Sequence, residues 1–402
     1  MAMPEFGYLT NDARYGYYRV AGDSAALCLA SRAGSSFEKP GKEGVAHLVE
    51  HMIFRSNEYL GSGELDKQVE LSGGETVAYT TRELLFLCAE FIPESAVKVA
   101  NLMFRAVSGL RLDEGEFERE RSVLESEIRG YMSNPEAWIY RLAHRSVWGD
   151  THLGRPIEGT PESIPSVDIS DVVDYKARAF SPKNVSIAIV GNVTESIARE
   201  AVRVFENLVD HGTLSEPSPV EAAPREIIED RGLDAAYVAV SLPLPERYKL
   251  VKILPSLRGV VFNLESGATS ILFKEVREDR GLAYSFNVDV HITTWGSTMA
   301  TIVFEGYRSS VDMIIDAVER SLETAFIGGY PDGDWRRGRR SLYKFLTRRE
   351  SITNVERAEA LASTLLFHER PYTLESLVKV TLESEWALEE LASVGRGKAV
   401  IL

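Results

Sequence analysis

The sequence has only two cysteines, Cys28 and Cys88, among its 402 residues. Two cysteines are too few for the disulfide framework that holds small secreted proteins together. Both lie in apolar runs typical of buried strands, where a cysteine usually serves as a small hydrophobic residue. We therefore expect free, buried thiols rather than a redox pair.

Long apolar runs are also absent, and no run reaches the roughly 18 residues that a membrane-spanning helix requires. The first residues lack the positive segment followed by an apolar segment that defines a secretory signal. Positive charge is scarce too, because 45 Lys and Arg stand against 60 Asp and Glu, for a formal net charge of -15. Such a chain repels nucleic-acid phosphates. The sequence therefore predicts a cytoplasmic protein that binds neither membrane nor nucleic acid.

The length of the chain predicts two domains, because 402 residues exceed one ordinary hydrophobic core. Helical and strand-like runs are mixed in both halves. This order predicts an α+β fold with two similar domains, each a mostly antiparallel sheet packed with helices. Residues 213–225 are rich in Ser, Pro and Glu and have no apolar period, as in a solvated linker. We therefore predict an N-terminal domain over residues 1–212 and a C-terminal domain over residues 226–402.

Residues 44–55 form an apolar segment, predicted as a helix, that carries His47-Leu-Val-Glu50-His51. His47 and His51 are four residues apart, so a helix places both imidazoles on one face. Neutral imidazole is a common zinc ligand, and a catalytic zinc site uses three protein ligands and leaves one position for water. Glu50 lies at the edge of the same face, where a carboxylate can take a proton from water without binding the metal.

A third ligand has to come from another segment, and the predicted helix over residues 114–131 is rich in carboxylates. Its acidic candidates are Glu118, Glu120, Glu125 and Glu127. Glu120 and Glu127 lie two helical turns apart on one stripe, with apolar residues between them that mark a buried side. A buried stripe with an acid at each end suits a metal site.

Ordinary structural roles compete with each of these interpretations. Two histidines at helical spacing are often simply packed or exposed, and a helix with several glutamates is usually a solvated, salt-bridged face. The combination is less ordinary, because an apolar helix would otherwise bury three polar side chains. We therefore favour the metal site.

The order His-x-x-Glu-His is the signature of inverzincins. With the run over residues 44–54 and the acidic helix, it resembles the pitrilysin/insulinase family of zinc metallopeptidases. The resemblance is to the short two-domain members akin to mitochondrial processing peptidase and its bacterial and archaeal relatives, and it extends along nearly the whole chain. It implies one Zn²⁺ per chain, with His47, His51 and Glu127 as ligands, Glu50 as the base, and Glu120 as a supporting residue.

Residues 276–286 of the second half are similar to the family's passage from a helix into a strand. In the family an Arg, and a Tyr seven residues later, close over the substrate backbone, and Arg277 and Tyr284 hold these places. Both side chains can donate hydrogen bonds to a peptide carbonyl or to the oxyanion formed when water attacks it. Arg280 competes with Arg277 for this role, and only the family spacing separates them.

Family members usually carry Asn-Ala on the edge strand that pairs with the substrate backbone. Here the strand residues are Thr76, Val77, Ala78 and Tyr79, and Val77 replaces the Asn. Addition of a peptide as a further strand uses backbone groups, so we still expect it, while contacts near the scissile bond differ.

The resemblance therefore implies a zinc-dependent endopeptidase that acts on peptides or unfolded segments. Short members of the family enclose their chamber by dimerising. Because this one sequence carries both the zinc motif and the Arg277/Tyr284 pair, we expect a homodimer, and a heterodimer with a paralogue fits as well. The net charge favours basic peptides.

The alternative function is a non-catalytic or partner-dependent processing-peptidase-like subunit with a scaffold or peptide-binding role. A loss of catalytic activity is disfavoured because the motif residues are intact, namely His47, Glu50, His51 and Glu127. The sequence also lacks the glycine-rich loop of the non-catalytic processing-peptidase partner. A third hypothesis is a peptide-binding module with a structural metal. It predicts that chelation unfolds the chain, whereas removal of a catalytic zinc leaves the fold intact.

Overall fold

The computed structural model describes residues 4–244, 270–291, 298–326, 352–368, 371–373, 376 and 395–402. Contacts along the chain divide it into two compact units. The first comprises Met1–Arg129, Pro156–Pro217 and Glu350–Leu374, and the second comprises Gly130–Arg155, Ser218–Arg349 and Glu375–Leu402. Each unit thus draws on segments that are distant in sequence. The domain boundaries expected at residues 212 and 226 stay a prediction.

The first unit is built on a six-stranded sheet. Its strands are β1 (Glu5–Tyr8), β2 (Arg14–Arg19), β3 (Ala25–Ser31), β4 (Glu75–Thr80), β5 (Leu85–Phe91) and β6 (Val185–Gly191). They lie in the order β1-β2-β6-β3-β5-β4, and every neighbouring pair except β2 and β6 is antiparallel. Strands β3 and β6 are buried throughout, which explains their mostly apolar sequences. Strand β4 is an edge strand of this sheet.

The second unit is built on a five-stranded sheet. Its strands are β7 (Glu226–Glu229), β8 (Ala235–Leu244), β9 (Ala283–His291), β10 (Thr298–Tyr307) and β11 (Gly397–Ile401). They lie in the order β7-β11-β8-β10-β9, and only the β7 and β11 pair is parallel. Both sheets are therefore mostly antiparallel, as predicted.

Helices pack on the sheets. In the described residues the α-helices are α1 (Val45–Ile53), α2 (Glu64–Glu70), α3 (Ala96–Ser108), α4 (Glu114–Ser133), α5 (Pro135–Trp148), α6 (Ile169–Ala179), α7 (Glu195–Arg203), α8 (Val311–Phe326) and α9 (Asn354–Phe367). Shorter helical turns cover Ser35–Phe37, Pro93–Ser95, Ile164–Ser166, Pro182–Asn184, Val204–Asn207, Phe273–Glu278 and Arg308–Ser310. In the first unit α9 packs on β3 and β6, and in the second unit α5 and α8 pack on β8. The fold is α+β in both units.

The two cysteines are not free thiols in the structure. Cys28 on β3 and Cys88 on β5 are directly opposite in the strand register, and their Sγ atoms form a disulfide. The expectation of free thiols is therefore wrong. The sequence showed that both strands are buried, but the register that brings the two Cα atoms to 4.1 Å depends on pairing across 60 residues.

The elements that carry the candidate site follow the sequence closely. The helix predicted over residues 44–55 occupies Val45–Ile53, and the strand pattern over residues 75–80 matches β4. Helices that the sequence pattern predicts over residues 257–265 and 334–349 lie outside the described residues. Within the described part of the chain, no helix is both long enough and apolar enough to span a membrane.

Candidate metal centre

The start of helix α1 is fixed by Gly44 and Glu38. Gly44 has a φ of 95°, a left-handed conformation that favours glycine. A Cβ on Gly44 would lie 2.4 Å from Ile164 Cδ1 and 2.8 Å from the Glu158 carbonyl oxygen, so a larger residue does not fit. The buried Glu38 carboxylate accepts hydrogen bonds from the backbone N–H groups of Gly44 and Ala46. These bonds satisfy the first turn of the helix that carries the motif.

His47 and His51 lie one turn apart on α1, and their rings converge. Their Nε2 atoms are 3.3 Å apart, and the ring planes meet at 87° with centroids 4.7 Å apart. Both side chains are half-buried. Two imidazole nitrogens this close together can both bind one metal ion.

Helix α4 brings two carboxylates to this histidine pair. Glu127 Oε2 lies 3.8 Å from His51 Nε2, and the ligand atoms of His47, His51 and Glu127 all lie within 4.8 Å of one another. Glu120 is buried on the other side of the His51 ring, with Oε2 3.0 Å from Nδ1. Glu120 Oε1 also pairs with Arg55 Nε at 2.7 Å. Glu127 therefore lies with the ligand atoms of the histidines, whereas Glu120 contacts the far side of the His51 ring.

Glu50 lies beside the cluster without joining it. Its Oε2 accepts a hydrogen bond of 2.6 Å from Thr80 Oγ1 on β4, which fixes the direction of the carboxyl group. Burial raises the pKa of the Glu50 carboxyl, and the Thr80 hydrogen bond opposes that shift. Glu50, the expected base, therefore lies near the ligand residues but is not one of the three whose ligand atoms cluster.

The donor set fits zinc. Two imidazoles and one carboxylate are an established ligand combination for a zinc ion that keeps an open position. With its proton on Nδ1, the His51 ring donates to Glu120 and leaves the Nε2 lone pair for a metal, which is how carboxylates orient metal-binding histidines. His47, His51 and Glu127 are therefore the residues that would hold the ion.

One other group of ligand atoms comes together within the described residues. It consists of Cys28, Cys88 and Glu359. The two sulfur atoms are bonded to each other, so neither thiolate is left for a metal. The histidine cluster is the better candidate centre.

The four strand residues expected to contact substrate all lie on β4. Thr76 points toward α2, where it hydrogen-bonds to Asp66, and Thr80 points toward α1, where it hydrogen-bonds to Glu50. Val77 is exposed, and Tyr79 turns to the opposite face, where its ring stacks on Phe86 with centroids 4.8 Å apart. Burial raises the pKa of the Tyr79 phenol, which also hydrogen-bonds to Glu359. Ala78 shares the face of Thr76 and Thr80.

Arg277, Arg280 and Tyr284 belong to the second unit. The exposed Arg277 guanidinium lies 5.0 Å from the centre of the Phe273 ring and lines a pocket of about 610 Å³ with residues of β9 and β10. Arg280 is paired with Glu275 at 2.9 Å. Tyr284 lies on β9, and its side chain lies outside the described residues. The substrate-contact roles expected of Arg277 and Tyr284 stay a prediction.

Sequence reasoning missed three residues of the site: Glu38, Arg55 and Thr80. Arg55 follows His51 by four residues, so helical spacing could have suggested that it reaches the same acidic stripe. Thr80 follows Thr76 by four residues on a strand, so period-two alternation could have placed both on one face. Nothing in the sequence indicated that Glu38 caps α1.

Family comparisons match two parts of the chain. Residues 19–161 match the family described as insulinase (peptidase family M16), and residues 166–342 match the peptidase M16 inactive domain. The candidate residues His47, Glu50, His51 and Glu127 all lie within the first match.

Curated relatives include an uncharacterized zinc protease of Rickettsia bellii, 28% identical over 65% of this chain and 64% of that protein. An uncharacterized zinc protease of Bacillus subtilis is 25% identical over 72% of this chain and 70% of its own length. The mitochondrial-processing peptidase subunit beta of Bos taurus is 27% identical over 56% of this chain. This chain thus spans 64% of the first relative and 48% of the bovine subunit.

Solved structures share the fold over the whole chain. A peptidase M16 inactive domain from Pseudomonas fluorescens matches with a TM-score of 0.86 at 15% identity, over 99% of this chain and 98% of that chain. A protease from Helicobacter pylori matches with a TM-score of 0.83 at 20% identity, over 99% of both chains. A chain of complex III from Candida albicans matches with a TM-score of 0.81 at 15% identity, over 99% and 95%. At these identities the likeness shows the fold alone.

Proposed function

Because this chain belongs to the insulinase family of peptidases, peptidase family M16, we propose that it is a zinc-dependent endopeptidase. The observation that carries the proposal is the convergence of His47, His51 and Glu127 within 4.8 Å, with the Glu50 carboxyl beside them. Relatives named zinc proteases support a peptidase-like role. One zinc per chain is the stoichiometry that one ligand set implies.

Zinc held by these ligands would act as a Lewis acid that lowers the pKa of a water molecule and polarises a carbonyl. Glu50 accepts a proton from the attacking water and then donates it to the leaving amine, as a general base and acid. Hydrogen bonds from Thr80 hold the Glu50 carboxyl in place beside the ligand residues. Glu120 orients the His51 ring and balances the charge of Arg55.

The substrate is a peptide or an unfolded protein segment bound as an added strand along β4. An edge strand offers a row of backbone N–H and C=O groups to an extended chain. The face of β4 with Thr76, Ala78 and Thr80 also bears the hydrogen bond to Glu50. A peptide paired with β4 would therefore lie next to the candidate base. The backbone of Val77 and Tyr79 takes part, whereas the Tyr79 ring packs on the opposite face.

Arg277 and Tyr284 are proposed to contact the substrate carbonyl or the oxyanion, with a second copy of the chain supplying them in a homodimer. A guanidinium and a phenol are suitable donors for a developing negative charge. A heterodimer with a paralogue would meet the same requirement. Mixing a Glu50→Gln chain with an Arg277→Ala chain tests the arrangement, because a dimer that shares sites regains part of its activity from two inactive variants.

A partner-dependent or non-catalytic role is the second candidate. Similarity to a processing-peptidase subunit and to a chain of complex III favours it, because each of these proteins is named as part of an assembly. In that case the purified chain binds zinc and a peptide but cleaves nothing until a partner is added.

Cleavage before and after chelation tests the peptidase function and shows whether the metal is catalytic or structural. The purified chain is incubated with a pool of quenched fluorescent peptides before zinc removal, after it, and after zinc is restored. We expect cleavage to stop and return while the circular dichroism spectrum stays unchanged. A chain that unfolds on chelation has a structural metal, and a chain that cleaves equally well without metal contradicts the proposal.

A further inference from the structure

Two neighbouring residues of strand β4 are held on opposite faces of the first sheet. Thr80 points toward α1, where its Oγ1 donates a hydrogen bond of 2.6 Å to Glu50 Oε2. Tyr79 points to the other face, as successive side chains of a strand do, and its ring stacks on Phe86 of β5. Because the two residues adjoin, a contact that fixes Tyr79 also limits where the Thr80 hydroxyl can lie.

The face of the sheet that Tyr79 occupies is covered by helix α9. The Tyr79 ring packs against a buried cluster formed by β2, β3, β5 and β6 together with α9. Its phenol also donates a hydrogen bond to the carboxylate of Glu359, which lies on α9. As an edge strand, β4 forms its backbone hydrogen bonds with one neighbour, β5. The Tyr79 side chain thus ties β4 to a second element of the first unit.

The Glu359 side chain is half-buried where α9 meets the sheet. Its Oε1 lies 3.8 Å from Cys88 Sγ, and Cys88 is directly opposite Val77 in the register of β4 on β5. Burial raises the pKa of the Glu359 carboxyl, and the hydrogen bond from Tyr79 opposes that shift. Because a buried polar group without a partner destabilises the folded state, the phenol and the carboxylate stay together.

We propose that Tyr79 and Glu359 are positioning residues for the candidate base, because their hydrogen bond holds β4 where Thr80 meets Glu50. This inference rests on the proposed peptidase function and adds two residues outside the metal centre. The Tyr79 ring lies on the face of the sheet away from α1, so its effect passes through the β4 backbone and the Thr80 hydroxyl. A small displacement of a group that fixes a catalytic side chain is enough to slow a reaction.

A double-mutant cycle on kcat tests whether Tyr79 acts through Thr80. Tyr79→Phe keeps the ring and removes the donor, and Thr80→Val removes the hydrogen bond to Glu50. Each single variant should lower kcat by about tenfold, the scale of one lost hydrogen bond to a charged partner. KM should stay within about twofold, because the β4 backbone that pairs with a peptide is unchanged.

The double variant should have a kcat within about twofold of that of Thr80→Val, because both substitutions remove the same support of Glu50. A loss of about a hundredfold, the product of two independent effects, would overturn the inference.

Tyr17→Phe is the matched control. The buried Tyr17 phenol on β2 donates a hydrogen bond to the Glu5 carboxylate on β1, at the opposite edge of the same sheet. This variant loses a comparable hydrogen bond far from β4 in the strand order, so its kcat should stay within about twofold of the wild type. An equal loss of kcat in Tyr17→Phe and Tyr79→Phe would show a general effect on the sheet and would overturn the assignment.

Variants of Glu359 separate positioning from stability. Glu359→Gln keeps an acceptor for the phenol, so its kcat should stay within about threefold of the wild type, whereas Glu359→Leu should fall as far as Tyr79→Phe. The combined Tyr79→Phe/Glu359→Leu variant leaves neither partner unpaired and should therefore stay folded. Its kcat should still be about tenfold low, because β4 has lost its tie to α9. A folded double variant with the kcat of the wild type would overturn the inference.

Amide hydrogen exchange, measured by mass spectrometry, separates this inference from the proposed function because it requires no cleavage. In Tyr79→Phe the segment over residues 75–80 should exchange several-fold faster than in the wild type, while residues 14–19 stay unchanged. If the wild type cleaves peptides but exchange over residues 75–80 is the same in both proteins, the inference is wrong and the peptidase function stands. If exchange rises there but the wild type cleaves nothing, the hold on β4 stands and the peptidase function fails.

Discussion

Glu120 Oε2 lies 3.0 Å from His51 Nδ1, on the side of the ring opposite the ligand atoms. The same carboxylate reaches Arg55 through its other oxygen. We therefore propose that Glu120 positions His51, by fixing the orientation and the tautomer of its ring, and is not a ligand. Glu127 faces Nε2 of His51, whereas Glu120 faces Nδ1.

Glu120→Gln is expected to weaken zinc binding by about 10- to 100-fold, because a neutral amide is a poorer partner for the His51 N–H than a carboxylate. Competition with a fluorescent zinc chelator measures the affinity. Glu118→Gln is the control, because Glu118 lies on the same helix and pairs with Arg121. Wild-type zinc affinity in Glu120→Gln would show that this contact is not needed to orient His51.

Glu127→Gln should remove zinc from the purified protein, because the neutral amide does not supply the negative charge of the third ligand. Glu125→Gln should keep the metal, because Glu125 lies on a different stripe of α4 and pairs with Arg129 at 3.8 Å. Elemental analysis gives the zinc content of each variant. The ligand assignment fails if the two variants lose metal to the same extent.

Gly44→Ala should destabilise the first unit more than Gly41→Ala does. Both glycines have positive φ, 95° and 83°, so each substitution costs about 1–2 kcal/mol for the backbone conformation. A Cβ meets nothing within 4 Å at Gly41, whereas at Gly44 it meets Ile164 at 2.4 Å, which adds about 1–3 kcal/mol. Urea unfolding measures both variants. Equal losses of stability would mean that the contact with Ile164 relaxes freely.

Lys176 should make stability depend on pH. It is fully buried, its Nζ donates to the Gly109 carbonyl oxygen, and burial lowers its pKa to about 7, against the weaker opposing effect of Glu58. Above pH 7 the unfolded chain keeps a proton that the folded chain has lost, so this residue makes unfolding less favourable as the pH rises toward the pKa of the free side chain.

The measurement compares urea unfolding of the wild type and Lys176→Met from pH 6 to pH 9. The stability of the wild type relative to the variant should rise above pH 7, by on the order of 1 kcal/mol per pH unit at most. Parallel pH profiles would contradict a lowered pKa of Lys176.

Local spacing could group the candidate residues within each helix. His47, Glu50 and His51 lie on one helix, and Glu120 and Glu127 lie on one stripe of another. The separate roles of Glu120 and Glu127 came from the family resemblance and stay a prediction. The α+β class followed from the mixture of helical and strand-like apolar periods in the sequence. The strand pattern over residues 75–80 matched the observed strand β4.

Contacts between distant segments could not be predicted in the same way. The disulfide between Cys28 and Cys88 requires the register of β3 on β5, and the Glu38 cap requires a turn before α1. Helix α9 packs on the sheet of the first unit although it starts at Asn354. A single sequence shows periodicity within an element, but it does not show which elements meet.

The most direct test of the central claim compares the wild type with Glu50→Gln, measuring zinc content and cleavage of a quenched fluorescent peptide pool. We predict about one zinc per chain in both proteins, with cleavage by the wild type and a loss of at least about 100-fold in kcat for the variant. Such a result assigns the base separately from the ligands. Cleavage by Glu50→Gln at the wild-type rate, or a wild type that binds no zinc, would contradict the account.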